Sequence, residues 1–185
     1  IGQGYHESPG KPHAESIAIK KAGKKSKGST LYVNLEPCYH HGKTPPCVDL
    51  IIKSKIKRVV ICNFDPNPLV NKKSISKLRR NGIEVTTGIH KDIALILNRE
   101  FYHSYQYNKP FVTVKLAVSL DGKISLNDGR SKWISSEDSR RDVQIERALS
   151  SLILTTSNTI IADNSLLNVR DSAIINKISR QPDVA

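Results

Sequence analysis

The chain has no methionine, a single tryptophan and three cysteines in 185 residues, and only 5% of its residues are aromatic. With no methionine even at position 1, it reads as a piece of a longer polypeptide. Three cysteines are an odd count and make no disulfide framework. Two of them, Cys38 and Cys47, have the spacing of metal ligands, which fits a reducing cytoplasm. No run of about 18 apolar residues occurs, so neither a transmembrane helix nor a membrane partner is expected. Residues 1–20 are polar and lack the apolar stretch of a signal peptide. Acidic residues are also few. Against 29 Lys and Arg stand 17 Asp and Glu, a net charge of +12. Such a balance permits nucleic-acid or phosphate binding. The lysines are dispersed, however, and their densest group (Lys20, Lys21, Lys24, Lys25, Lys27) reads as a solvated helix end. Base-stacking platforms need aromatics, so no nucleic-acid partner is expected.

What is present is an alternation of strand and helix patterns. The length and a hydrophobic content of 38% suit one ordinary domain, or one and a half small ones. Residues 1–12 read as a strand end and a Gly/Pro loop. From His13 the apolar positions Ala14, Ile17, Ala18 and Ala22 recur at helical spacing, with Gly23 as the stop. Leu31–Leu35 alternates as a strand, and a Pro-rich loop from Pro37 to Pro46 follows. Cys47–Ser54 is expected as a helix, Arg58–Cys62 as a buried strand with Cys62 in the core, Ser74–Asn81 as a helix, Ile83–Thr87 as a strand and Asp92–Tyr102 as a helix. This βαβ order predicts an α/β layer around a mostly parallel sheet. Gln106–Pro110 reads as a linker. Beyond it, Phe111–Ala117 is expected as a strand, Ser135 or Ser136 as the cap of a helix to about Ser151, Leu152–Thr156 as a strand, and Thr159–Asp163 as the start of another element. Residues 176–185 show no pattern.

The residues that carry chemistry are His13-Ala14-Glu15, then Pro37-Cys38, then Cys47. One His and two Cys supply three zinc ligands and leave a fourth position for water. The metal lowers the pKa of that water, and a nearby carboxylate that is not a ligand, Glu15, carries its proton. His-x-Glu followed by Pro-Cys and a second Cys is the pattern of zinc-dependent base deaminases, here with eight residues between the cysteines. A purely structural zinc is the rival reading, with His6, His40 or His41 as a fourth ligand. The expected helices place His13 and Glu15 in one first turn and Cys47 at the start of the next helix, while Cys38 follows a strand's C-terminal end. Ligand sites collect at those ends of parallel sheets.

At these residues the chain resembles the riboflavin-biosynthesis deaminase/reductase family. The resemblance rests on His13-Ala14-Glu15, on the stretch from Leu35 to Cys47, on Asp65-Pro66-Asn67-Pro68, and on Lys115–Gly122, Ser131–Ile134 and Arg140–Val143, and it runs to about Arg170. The inter-cysteine stretch His41-Gly42-Lys43-Thr44-Pro45-Pro46 sets it apart from generic cytidine deaminases. The resemblance implies a cytidine-deaminase-like three-layer α/β/α zinc domain at residues 1–105, followed by the N-terminal portion of a dihydrofolate-reductase-like α/β domain at 106–185. It implies hydrolytic deamination of 2,5-diamino-6-ribosylamino-4(3H)-pyrimidinone 5′-phosphate, then NADPH-dependent reduction of the ribosyl group to ribityl. By match to the family's motifs, His13, Cys38 and Cys47 hold Zn²⁺, Glu15 is the proton shuttle, and His6 and Lys43 touch the deaminase substrate. In the second domain Ala117, Trp133, Thr159 and Asp163 match NADP-binding positions, and Ser131, Arg147, Leu167 and Arg170 match substrate positions. The implied partner is a small phosphorylated pyrimidine, in the cytoplasm, and homo-oligomerisation stays open.

The family's deaminase domain starts before Ile1 with a helix, a strand pair and a substrate-contacting Asn. Its reductase domain continues past Ala185 through a glycine-rich segment. The expectation is therefore an exposed sheet edge in the first domain and no reductase activity from this chain alone. Two other functions compete: a tRNA or other nucleic-acid base deaminase, which would share the zinc site, and a non-catalytic, zinc-stabilised remnant.

Overall fold

The structure is a computed structural model that describes residues 1–178 and 180–185. Ser179, inside the final stretch expected to lack a pattern, lies outside the described residues. The chain divides into two compact units, Ile1–Val112 and Thr113–Ala185.

The first unit is built on three parallel strands in the order β1-β2-β3, namely Thr30–Leu35, Arg58–Asn63 and Glu84–Thr87. Register pairs Leu31 with Val59 and Val59 with Val85. The middle strand, β2, reads as a nearly continuous apolar run because neighbours hide both its edges and both its faces. β1 alternates exposed and half-buried residues, and Tyr32 is 73% exposed. One edge of β1 therefore carries no strand among the described residues, as expected from the sequence.

Three helices on this sheet follow the predicted periodicity: α1 (Ala14–Ala22), α2 (Cys47–Lys53) and α3 (Lys73–Arg80). They pack side by side, and Ile19, Val48, Ile51, Ile75 and Leu78 from them meet Val59 and Ile61 of β2 in one core. Burying such a side chain contributes about 1.5–3 kcal/mol each. Val60 is buried outside that cluster, and strand alternation turns it to the other face, where α4 (Lys91–Leu97) packs on β2. Asn63 fixes that helix by donating from Nδ2 to the Lys91 carbonyl at 2.8 Å.

The segment before α1 runs tightly along it. A Cβ at Gly4 would fall 2.7 Å from the Cβ of Ile17, and one at Gly2 would fall 2.8 Å from the backbone N of Ala22. Only glycine permits that approach, which delivers His6 beside His13.

Several expectations needed correction. The helix expected over Asp92–Tyr102 breaks at Asn98 into α4 and α5 (Arg99–Tyr107), since Asn98 leaves helical backbone at φ −117° and ψ 25°. The second of these helices runs on to Tyr107. Cys62 is half-buried, not core.

In the second unit the expected strand at Phe111–Ala117 does not form. It has the right residues but no ladder partner among the described residues, and Val114 and Leu116 are 76% and 73% exposed. What forms is α6 (Glu137–Leu149), capped by the Ser136 side chain as expected, then β4 (Leu152–Ile153), shorter than predicted. Thr159 belongs to a helix, α7 (Ser157–Asp163), whose cap is Thr156. A short α8 (Ser172–Ile175) follows. The final stretch does hold an element: β5 (Asp183–Val184) pairs in parallel with β4. No helix among the described residues is long and apolar enough to cross a membrane.

Candidate metal centre

The ends of three elements converge at one point of the first unit. His13 immediately precedes α1, Cys47 is the first residue of α2, and Cys38 lies three residues beyond β1. His13 Nδ1 is 3.4 Å from Cys38 Sγ and 3.3 Å from Cys47 Sγ. All three candidate ligand atoms lie within 4.8 Å of one another. In a tetrahedral zinc site with ordinary Zn–N and Zn–S bonds, neighbouring ligand atoms stand roughly 3.5 Å apart, so this donor set fits the ion. The other ring nitrogen, His13 Nε2, is 3.3 Å from Thr44 Oγ1. That contact suits the outward N–H of a metal-binding imidazole, whose partner fixes the tautomer and the ring angle. Thr44 was not singled out from sequence. The only signal for it was its place inside the inter-cysteine loop.

Cys38 is gripped from α2. The backbone N–H of Cys47 donates to Cys38 Sγ at 3.1 Å, and that of Val48 to the Cys38 carbonyl at 3.2 Å. The Cys47 thiol donating to Cys38 brings the Cys38 pKa down to about 5, helped by the Cys47 N–H and by His13, although burial pushes the other way. Cys47 is pushed up, first by keeping that proton and then by burial and the neighbouring negative charges. Deprotonating both for a metal therefore releases protons.

Glu15, the second residue of α1 and in its first turn, is half-buried as a residue, with its carboxyl largely buried. Burial raises its pKa above the ordinary value, and the nearby Cys38 charge adds to this. Its own backbone N–H, His13 and a bond from Cys47 act in the opposite sense. A carboxyl displaced in this way, beside a metal site, suits a group that takes and returns a proton.

A 210 Å³ cavity opens on the centre, lined by His6, His13, Cys38, His40, Lys43 and Thr44 among others. The structure thus brings together His6 and Lys43, both assigned to substrate from sequence. The His6 ring meets His13 edge-on at 5.1 Å, and its Nδ1 is 3.2 Å from the Pro12 carbonyl. Among the described residues, His6, His40 and His41 do not join the ligand group, so the fourth protein ligand of a closed structural site is lacking. A larger groove of about 1110 Å³ is lined by β1 and by Glu15, His13 and Cys38.

The residues assigned in the second unit are more scattered. Arg147 and Arg170 are electrostatic neighbours: burial first and then Arg170 lower the Arg147 pKa. Arg147 donates to the Asn168 carbonyl at 3.0 Å, and the Arg170 N–H donates to Gln144 Oε1 at 2.9 Å. Leu167, in left-handed backbone at φ 52°, lies close by in the chain. Trp133 is 69% exposed beneath the Arg140 guanidinium, 4.3 Å from its ring centre. Thr159 sits in the first turn of α7 and Asp163 at its last position. Ala117 and Ser131 are half-buried in irregular chain. No hydrogen bond or ring contact joins Ala117, Ser131, Trp133, Thr159 and Asp163 among the described residues.

Comparison with known proteins agrees with this geometry. Residues 1–63 match the cytidine and deoxycytidylate deaminase zinc-binding region, and residues 110–181 match the RibD C-terminal domain. The chain thus combines a deaminase-type zinc-binding region with a RibD C-terminal domain. The riboflavin biosynthesis protein RibD of Aquifex aeolicus is 49% identical over 92% of the chain, and that of Escherichia coli 45% identical over 94%. Those alignments cover 48% and 47% of the two relatives, so the chain spans about half the length of the curated relatives it matches. Two solved structures cover all of the chain and 52% of their own. Acinetobacter baumannii RibD has a TM-score of 0.91 at 44% identity. A Thermotoga maritima diaminohydroxyphosphoribosylaminopyrimidine deaminase/5-amino-6-(5-phosphoribosylamino)uracil reductase has 0.90 at 42%. The chain belongs to the RibD family of riboflavin biosynthesis proteins.

Proposed function

We propose that the first unit deaminates a phosphorylated diaminopyrimidine of riboflavin biosynthesis by hydrolysis, using Zn²⁺ held by His13, Cys38 and Cys47. The observation that carries this reading is the convergence of one imidazole and two sulfurs beside the buried Glu15 carboxyl. Zinc there would supply Lewis acidity and an activated water. Thr44 holds the His13 ring from behind. Glu15 would take a proton from the attacking water and hand it to the departing amine, and its raised pKa favours holding the proton between the two transfers. Lys43, at the mouth of the 210 Å³ cavity, is a cation placed to meet the substrate phosphate, and His6 closes the side nearest His13.

The second unit, taken from residue 106, is read as part of the NADPH-dependent reductase. Ala117, Trp133, Thr159 and Asp163 would face the nicotinamide cofactor, and Ser131, Arg147, Leu167 and Arg170 the substrate. The proximity of Arg147 and Arg170 supports an anion between them, since two guanidiniums repel until a phosphate joins them. A cytoplasmic setting fits the chain's three free thiols.

The test is ammonia release from the diaminopyrimidine phosphate by the zinc-loaded chain, with Glu15→Gln as control. The variant is expected to keep its zinc and lose at least 100-fold in rate, in line with general acid–base contributions. Equal rates for the two proteins would defeat the assignment.

A further inference from the structure

Glu36 is 2% exposed, yet it stands outside the ligand set. It follows the last residue of β1 and comes two residues before Cys38. Its own N–H still pairs with the Asn63 carbonyl of β2 at 2.9 Å, so the chain leaves the sheet only at this point.

The Glu36 carboxylate does not face the metal site's donor atoms. Oε2 accepts from the backbone N–H of Lys72 at 2.9 Å and of Asp65 at 3.4 Å, and Oε1 from that of Ile75 at 3.5 Å. Lys72 is the N-cap of α3 and Ile75 its third residue, two positions whose amides have no partner inside the helix. Lys72 sits in left-handed backbone at φ 60° and gives no side-chain cap, and the first turn of α3 contains no acid. The capping carboxylate that α3 lacks is supplied by the strand end. Its negative charge also faces the positive end of the helix dipole, next to Lys72 and Lys73.

A second tie runs in parallel. Ser74 Oγ, fully buried, donates to the Pro37 carbonyl at 2.6 Å. The Glu36 side chain and the carbonyl of Pro37, itself fully buried, are thus both tied to the start of α3. On its far side Cys38 is held by the N–H groups of Cys47 and Val48. Between these two grips the Cys38 backbone has little freedom left.

We infer that Glu36 is a positioning residue for the metal centre: by capping α3 from the strand end, it fixes the Pro37–Cys38 turn in the pose that ligates metal before the ion arrives. The inference rests on the reading of His13, Cys38 and Cys47 as zinc ligands. Losing an outer partner of this kind typically costs 10- to 100-fold in metal affinity.

Zinc affinity of the full chain, measured by chelator competition, tests this, together with the visible spectrum of the Co²⁺-loaded chain. Glu36→Ala should weaken zinc binding at least 10-fold and shift the Co²⁺ bands, because the sulfur ligand moves. Glu36→Gln, which keeps one acceptor oxygen, should lie between it and the parent. Ile83→Ala removes a buried side chain of the same unit that touches neither Glu36 nor the ligands. At a comparable drop in melting temperature it should leave affinity and spectrum unchanged. If Glu36→Ala does not fold, Glu36→Gln and Ser74→Ala carry the same comparison. Parent-like affinity and spectrum in the Glu36 variants overturn the inference, as does an equal loss in Ile83→Ala. A parent chain that takes up no zinc overturns the zinc reading as well, which separates the two failures.

Discussion

The two units of this chain share a sequence style and differ in what they bury. In the first, β2 is flanked on both sides, and Ile51, Val59, Ile61 and Leu78 have no exposed surface. In the second, the only ladder joins two pairs of residues among those described, while Leu120, Ile161 and Val114 stand in the open. The apolar alternation of Phe111–Ala117 is as strong as that of Leu31–Leu35. One became a strand and the other did not. Alternation records only that a segment suits a pleated surface. A ladder partner decides whether it becomes a strand, and that partner need not lie nearby in the chain.

Three experiments would break or sharpen this contrast. The largest effect should come from Cys47→Ser. It removes a ligand at the junction of β1, α1 and α2, so zinc affinity should fall by more than about 100-fold and the zinc-dependent rise in the first unit's melting temperature should vanish. Next in size is a pair of substitutions of identical chemistry. Ile61→Ala, at 0% exposure, should destabilise its unit by about 2–5 kcal/mol. Ile161→Ala, at 81% exposure, should stay within about 0.5 kcal/mol in denaturant titration. Equal costs would mean that Ile161 is covered in solution. The smallest effect concerns Tyr102, which donates to the Phe64 carbonyl. Burial, with the charges of Asp65 and Glu36, pushes its phenol from 10.0 to about 12. The folded state therefore holds this proton where the unfolded chain has lost it. Stability from this group is complete below pH 10 and declines as the pH rises toward 12. Tyr102→Phe should flatten that alkaline slope slightly, and an unchanged slope would remove Tyr102 from the account.

Much of the candidate site was legible because its parts are local. His13 and Glu15 share one helical turn, and Cys38 and Cys47 bracket one proline-rich loop, so spacing carried the message. The supporting residues were not legible. Thr44 and Glu36 act through contacts 31 and 36 residues away, and nothing in their immediate surroundings announces it. The order of elements in the first unit followed from periodicity. The break at Asn98 and the β4–β5 pair did not, since the first turns on a single backbone conformation and the second joins segments about thirty residues apart. The assignments in the second unit came from family resemblance alone, and the fold draws only Arg147 and Arg170 together.

The hydrogen bond from the Cys47 amide to the Cys38 sulfur ties a helix's starting point to the turn just past a strand's end. Any sliding of α2 along the sheet must stretch this tether and carry the Cys47 sulfur away from His13. Ion occupancy would then serve as a gauge of registry between helix and sheet, so a chelator could report misassembly that bulk unfolding probes overlook.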